Sequence, residues 1–74
     1  MEIERITVDP HVMGGQPVIK GTRITVALIL NELGRGASAA EVLEQYPHLA
    51  LEDVWAAASY ASKVVAGEIL MAAE

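Results

Sequence analysis

The sequence predicts a mainly α domain: a short N-terminal β segment or hairpin, then a three-helix bundle of helix-turn-helix-like outline. Three observations lead there. The first third is rich in β-branched residues broken by glycine and proline, which favours short strands and turns over helix. Two capping signals, Thr25 and Ser38-Ala39-Ala40-Glu41, each stand directly before apolar residues spaced for one helix face. A third apolar run opens near Leu51 with Glu52 and Asp53, carboxylates suited to the positive end of a helix dipole. The 74 residues leave room for one domain, with an extended or hairpin segment over 3–26 and three helices over 26–72.

In chain order, Ile3, Ile6 and Val8 place apolar side chains in rough alternation before Asp9-Pro10 interrupts them. Gly14-Gly15 reads as a loop. Pro17 to Val26 reads as a hairpin or sharp bend, with Gly21 supplying any positive φ that the turn requires. Thr25 then caps a first helix whose stripe is Val26, Ile29, Leu30 and Leu33, ended by Gly34 or Gly36. The Ser38/Glu41 capping box starts a short second helix with Val42, Leu43 and Tyr46 as its apolar side, and Pro47 follows. The third helix carries Leu51, Val54, Trp55, Ala58, Ser62 and Val65 on one face and Ala57, Tyr60, Val64 and Met71 on another. Leu49 and Val54 are spaced for a hydrophobic staple around Ala50, which itself cannot cap. Only Glu52, Ser59 and Lys63 draw a polar stripe. A helix so apolar is normally buried on most sides, and one small core cannot do that.

Composition points the same way. Hydrophobic residues make up 53% of the chain and cysteine is absent, so association rather than disulfides or thiolate metal sites is left to supplement a small core. A homodimer is therefore expected, with Trp55, Tyr60, Val64 and Met71 as candidate interface residues. Ten Asp/Glu against five Lys/Arg give a net charge of −5, whereas duplex-binding domains usually present a basic face. DNA binding by the chain alone is expected to be weak. The charged start Met1-Glu2-Ile3-Glu4 has no secretory pattern, and no apolar run approaches the ~20 residues of a membrane span. With no cysteine, a cytoplasmic protein without membrane association is expected.

Catalytic and cofactor chemistry finds little support. Lys20-Gly21-Thr22 inverts the order a phosphate-binding loop needs, and Arg23-Ile24 continues extended where a helix should open. His11 and His48 stand apart without an acidic partner set at ligand spacing, so they read as loop histidines. No nucleophile motif is present, and no catalytic, cofactor or metal residue is expected. Ser38 to Lys63 has a helix-turn-helix outline, yet the leading residues Leu51, Glu52 and Asp53 would set carboxylates against phosphates. Lys20 and Arg23 are a close pair of cations beside a turn. They read either as a solvated hairpin tip or as a partner-binding pair, since a guanidinium can engage a carboxylate bidentately.

The run Gly15-Gln16-Pro17-Val18-Ile19-Lys20-Gly21-Thr22-Arg23-Ile24-Thr25-Val26 closely resembles the signature of a bacterial family, domain of unknown function 433. Ser38-x-x-Glu41-Val42-Leu43-x-x-Tyr46-Pro47-His48-Leu49 and Leu51-Glu52-Asp53-Val54 match it in order and spacing, and the resemblance spans about residues 3 to 63. It implies a homeodomain-like helical part and a VapB-type, type II antitoxin-like protein that neutralises a PIN-like nuclease toxin. The alternatives are a dimeric DNA-binding regulator and an interaction domain without a toxin. Carried over by position are Gly15, Pro17, Lys20, Gly21, Thr22 and Arg23, with Gly15, Pro17, Gly21 and Thr22 expected to be structural. This chain departs from the family at Ala50, where threonine is usual, and so lacks a cap typically worth about 1 kcal/mol.

Overall fold

Three very short strands precede the helices: β1 (Glu2–Ile3), β2 (Ile6–Thr7) and β3 (Val18–Ile19). They form one antiparallel sheet in that order within the computed structural model, which describes residues 2–69. Ile3 pairs with Ile6 across a two-residue turn, and Ile6 and Thr7 pair with Ile19 and Val18. The apolar alternation at the N-terminus is thus not one strand. The chain reverses at Glu4-Arg5, where Glu4 takes a φ of 54°, and Ile6 is brought onto the core.

The expected hairpin over Pro17–Val26 is present. The Ile19 N–H donates to the Ile24 carbonyl at 2.9 Å, and Val18 forms a bridge with Thr25. Gly21 has a φ of 80°, the left-handed conformation that the turn needs. Thr22 ties the turn's two sides together. Its hydroxyl donates to the Ile19 carbonyl at 2.8 Å and accepts from the Ile24 N–H at 3.0 Å. The next residue but two, Thr25, caps α1 (Val26–Gly34) by accepting from the Leu28 N–H at 3.0 Å. Gly36, not Gly34, stops α1: at φ 100° it lets the Ala37 N–H reach the Glu32 carbonyl and its own N–H reach the Leu33 carbonyl.

Both arms of the capping box form before α2 (Ala39–Gln45). The Glu41 N–H donates to the Ser38 hydroxyl at 3.1 Å, and the Ser38 N–H donates to the Glu41 carboxylate at 2.8 Å. The last helix, α3 (Leu51–Val65), ends earlier than the apolar periodicity suggests. Of the expected reach to residue 72, the part up to residue 69 is interrupted at Gly67, and 70–72 lie outside the described residues. At φ 81° Gly67 allows the Glu68 N–H to bond the Lys63 carbonyl and its own N–H to bond the Val64 carbonyl. Apolar residues continue past this stop, so hydrophobic spacing alone conceals it.

α3 packs against α1, α2 and β2 and lies at the centre of the fold. The core joins Ile6 and Ile19 of the sheet, Val26 and Ile29 of α1, Val42 of α2, Leu49, and Val54, Ala57 and Tyr60 of α3. Leu49 and Val54, the expected staple, are both buried. The Leu51–Trp55–Ala58–Ser62–Val65 face is left largely uncovered: Trp55 is 60% exposed and Val65 87%.

Candidate partner-binding surface

Two turns stand side by side at one end of the sheet, joined by the Lys20 N–H, which donates to the Arg5 carbonyl at 2.8 Å. Lys20 and Arg23 are both exposed there. Arg23 forms no hydrogen bond or ion pair among the described residues. The stiffness behind it is built from the residues expected to be structural. Pro17 is buried and its carbonyl accepts the Val26 N–H at 2.9 Å, while Gly21 and Thr22 fix the bend. Gly15 has a φ of 86°, and a Cβ there would lie 3.7 Å from the Pro10 Cα, so conformation rather than crowding calls for glycine.

A second feature is an apolar channel of about 290 Å³ between α1 and α3, with Pro17, Val26, Leu30, Tyr60, Ala61 and Val64 among its walls. Of the four candidate interface residues, Tyr60 and Val64 line this channel, Trp55 lies in a separate patch, and Met71 falls outside the described residues. Tyr60 is a core residue, 3% exposed, and its hydroxyl is buried with no hydrogen-bond partner. Burial pushes its pKa above the ordinary tyrosine value, because the phenolate loses hydration. An unpartnered buried hydroxyl costs about 1–3 kcal/mol, so Tyr60→Phe should raise stability by roughly 0.5–1 kcal/mol once the small void is counted. The unfolded chain ionises first as pH rises past about 10, so the parent's stability falls there. Urea titrations at neutral and high pH should show that loss in the parent and less of it in the variant.

The third feature joins distant parts of the sequence. Asp53, buried at the start of α3, accepts from Arg5 Nη1 at 2.8 Å with one carboxylate oxygen. The other accepts from the Ala50 N–H at 2.8 Å. This is the half of a capping box that an alanine at the N-cap still allows. Reading Asp53 as a dipole partner alone misses the ion pair, and nothing in local spacing links positions 48 residues apart. Asp53 itself was the available signal for the second bond: a carboxylate at the third position of a helix can reach back to the N–H of the cap residue, whatever that residue is.

Other candidates come together less. The His11 backbone N–H donates to the Asp9 carboxylate at 2.8 Å, an Asx-type turn, and His48 is exposed elsewhere. No group of three or more His, Cys, Asp or Glu among the described residues could hold a metal ion. No helix among them is long and apolar enough to cross a membrane. At the end of α3 that a groove-reading helix would insert, Glu52 is exposed and Asp53 is engaged internally.

These features define a small, mainly helical domain fronted by an antiparallel hairpin sheet, with a rigid cationic turn and uncovered apolar surface. The chain belongs to the family described as "Protein of unknown function (DUF433)", whose model matches residues 6–61. It is 36% identical over 58 residues to the uncharacterized protein y4eO of Sinorhizobium fredii (strain NBRC 101917 / NGR234). That match takes in 78% of this chain but 26% of the relative, so the chain spans about a quarter of that protein's length. It is also similar to the crystal structure of a DUF433 member protein from Anabaena variabilis ATCC 29413, with a TM-score of 0.79 and 36% identity. There the match covers 86% of this chain and 63% of the other.

Proposed function

We propose that this chain is a type II antitoxin-like protein, a cytoplasmic homodimer that binds and neutralises a PIN-like nuclease, and that it is a binding protein rather than an enzyme. The observation that carries this reading is Arg23: an exposed guanidinium without an acidic partner among the described residues, aimed by a turn that Pro17, Gly21 and Thr22 hold stiff. An arginine that paired within its own fold would have served stability. One left uncommitted on a rigid support suits a carboxylate cluster on another protein, as a metal-dependent nuclease would offer. The apolar channel between α1 and α3 supports association of a second copy. Glu52 at the exposed start of α3 speaks for weak duplex binding by the chain alone.

The test takes the PIN-like protein expected from the neighbouring reading frame. Arg23→Ala should leave the melting temperature and dimeric mass unchanged while weakening toxin binding by roughly 1.5–3 kcal/mol, the range for a charged hydrogen bond. Unchanged toxin affinity in the folded variant sinks the proposal, and so does a neighbouring frame that encodes no such protein.

A further inference from the structure

On the side of α3 away from the apolar channel, Trp55 sits in an open depression of about 330 Å³ whose walls also include Glu4, Arg5, Glu52 and Ser59. Glu52 and Ser59 stand three residues before and four after Trp55, on the same side of the helix. Glu4 arrives from the β1–β2 turn, held in its left-handed conformation. Neither the Glu4 nor the Glu52 side chain has a hydrogen bond or ion pair among the described residues. The cation in the wall, Arg5, is already engaged by Asp53 at 2.8 Å. What remains is a largely bare indole flanked by two uncommitted carboxylates.

We propose that this face of α3 is a docking site for an arginine side chain on a basic segment of a partner protein. A guanidinium stacks on an indole face through its charge and its flat shape, while its edge N–H groups reach carboxylates. Two uncompensated negative charges beside the ring repel an acidic segment, so charge complementarity selects a basic one. The site is separate from the Arg23 turn, which is itself cationic, and its occupancy does not depend on the antitoxin reading.

Trp55 is the chain's single tryptophan and reports directly on its own site. Titration with a blocked tetra-arginine peptide, in about 150 mM salt to suppress diffuse attraction, should change its fluorescence saturably. Glu4→Gln and Glu52→Gln should each weaken binding roughly three- to tenfold, as should Trp55→Leu read by calorimetry. Glu44→Gln, an equal charge change at an exposed position of α2, should leave it unaltered. A tetra-lysine peptide should bind less tightly, having no planar group to stack. Circular dichroism checks that the variants remain folded. Equal weakening by Glu44→Gln, equal affinity for the lysine peptide, or no saturable signal overturns the proposal. A concentration-dependent tryptophan change in the peptide-free protein, abolished by Arg23→Ala or Arg35→Ala, would assign the site to a second copy and overturn it as well.

Discussion

Asp53→Ala is expected to destabilise the domain by about 2–3 kcal/mol, because one carboxylate serves three purposes at the start of α3. It accepts the Ala50 N–H, the arm of a capping box that runs from N3 back to the cap residue and does not depend on the cap's own side chain. It pairs with Arg5 and so fastens the β1–β2 turn to the helix. It also places negative charge at the positive end of the dipole of α3. Its side chain is only 10% exposed, so water replaces little of what is lost, whereas Arg5 is 48% exposed. Arg5→Ala should therefore cost less, roughly 0.5–1 kcal/mol. Thermal melts should record a fall of roughly 10–20 °C for Asp53→Ala, given 4–8 °C per kcal/mol in a domain of this size. A double-mutant cycle separates the ion pair from the cap: most of the Asp53 effect should persist in an Arg5→Ala background. If it vanishes there, the cap contributes little and the ion pair alone holds the two elements.

Ile29→Ala should cost still more, about 3–4 kcal/mol. Ile29 is fully buried on α1 among sheet, α2 and α3 side chains, and truncation removes both its transfer energy and its packing partners. A chain of 74 residues has on the order of 4–11 kcal/mol in total, so this loss takes much of the margin and shifts the urea midpoint strongly. Leu30, its neighbour, is a useful contrast. It is half-buried and lines the open channel, so Leu30→Ala should cost the monomer about 1 kcal/mol and act mainly on the proposed association of two copies. A Leu30→Ala variant as unstable as Ile29→Ala would mean that the channel wall belongs to the core.

The helix starts and the turn were legible because their causes are local. Thr25, the Ser38/Glu41 box and Gly21 each act within four residues of where they stand, and each does in three dimensions what its spacing implies. The cationic turn was legible for the same reason: Lys20, Gly21, Thr22 and Arg23 are consecutive. Less legible was the N-terminal reversal at Glu4-Arg5, since neither residue favours a left-handed turn and only pairing of Ile3 with Ile6 requires one. The end of α3 was masked by apolar residues beyond Gly67.

By itself, then, the sequence determined the order of the helices, the caps of the first two, the family and the identity of the exposed cations, all of which depend on residue type at short range. Only the tertiary structure decided which face of α3 is inside. Its apolar residues encircle most of the helix, so periodicity could not choose between Val54–Ala57–Tyr60 and Trp55–Val65. The choice was made by where the sheet and α1 could pack, and it left Trp55 beside Glu4 and Glu52. The Arg5–Asp53 pair belongs to the same level of organisation. Two charges far apart in the chain meet only after the sheet has closed on the helix, and no local preference records that they will.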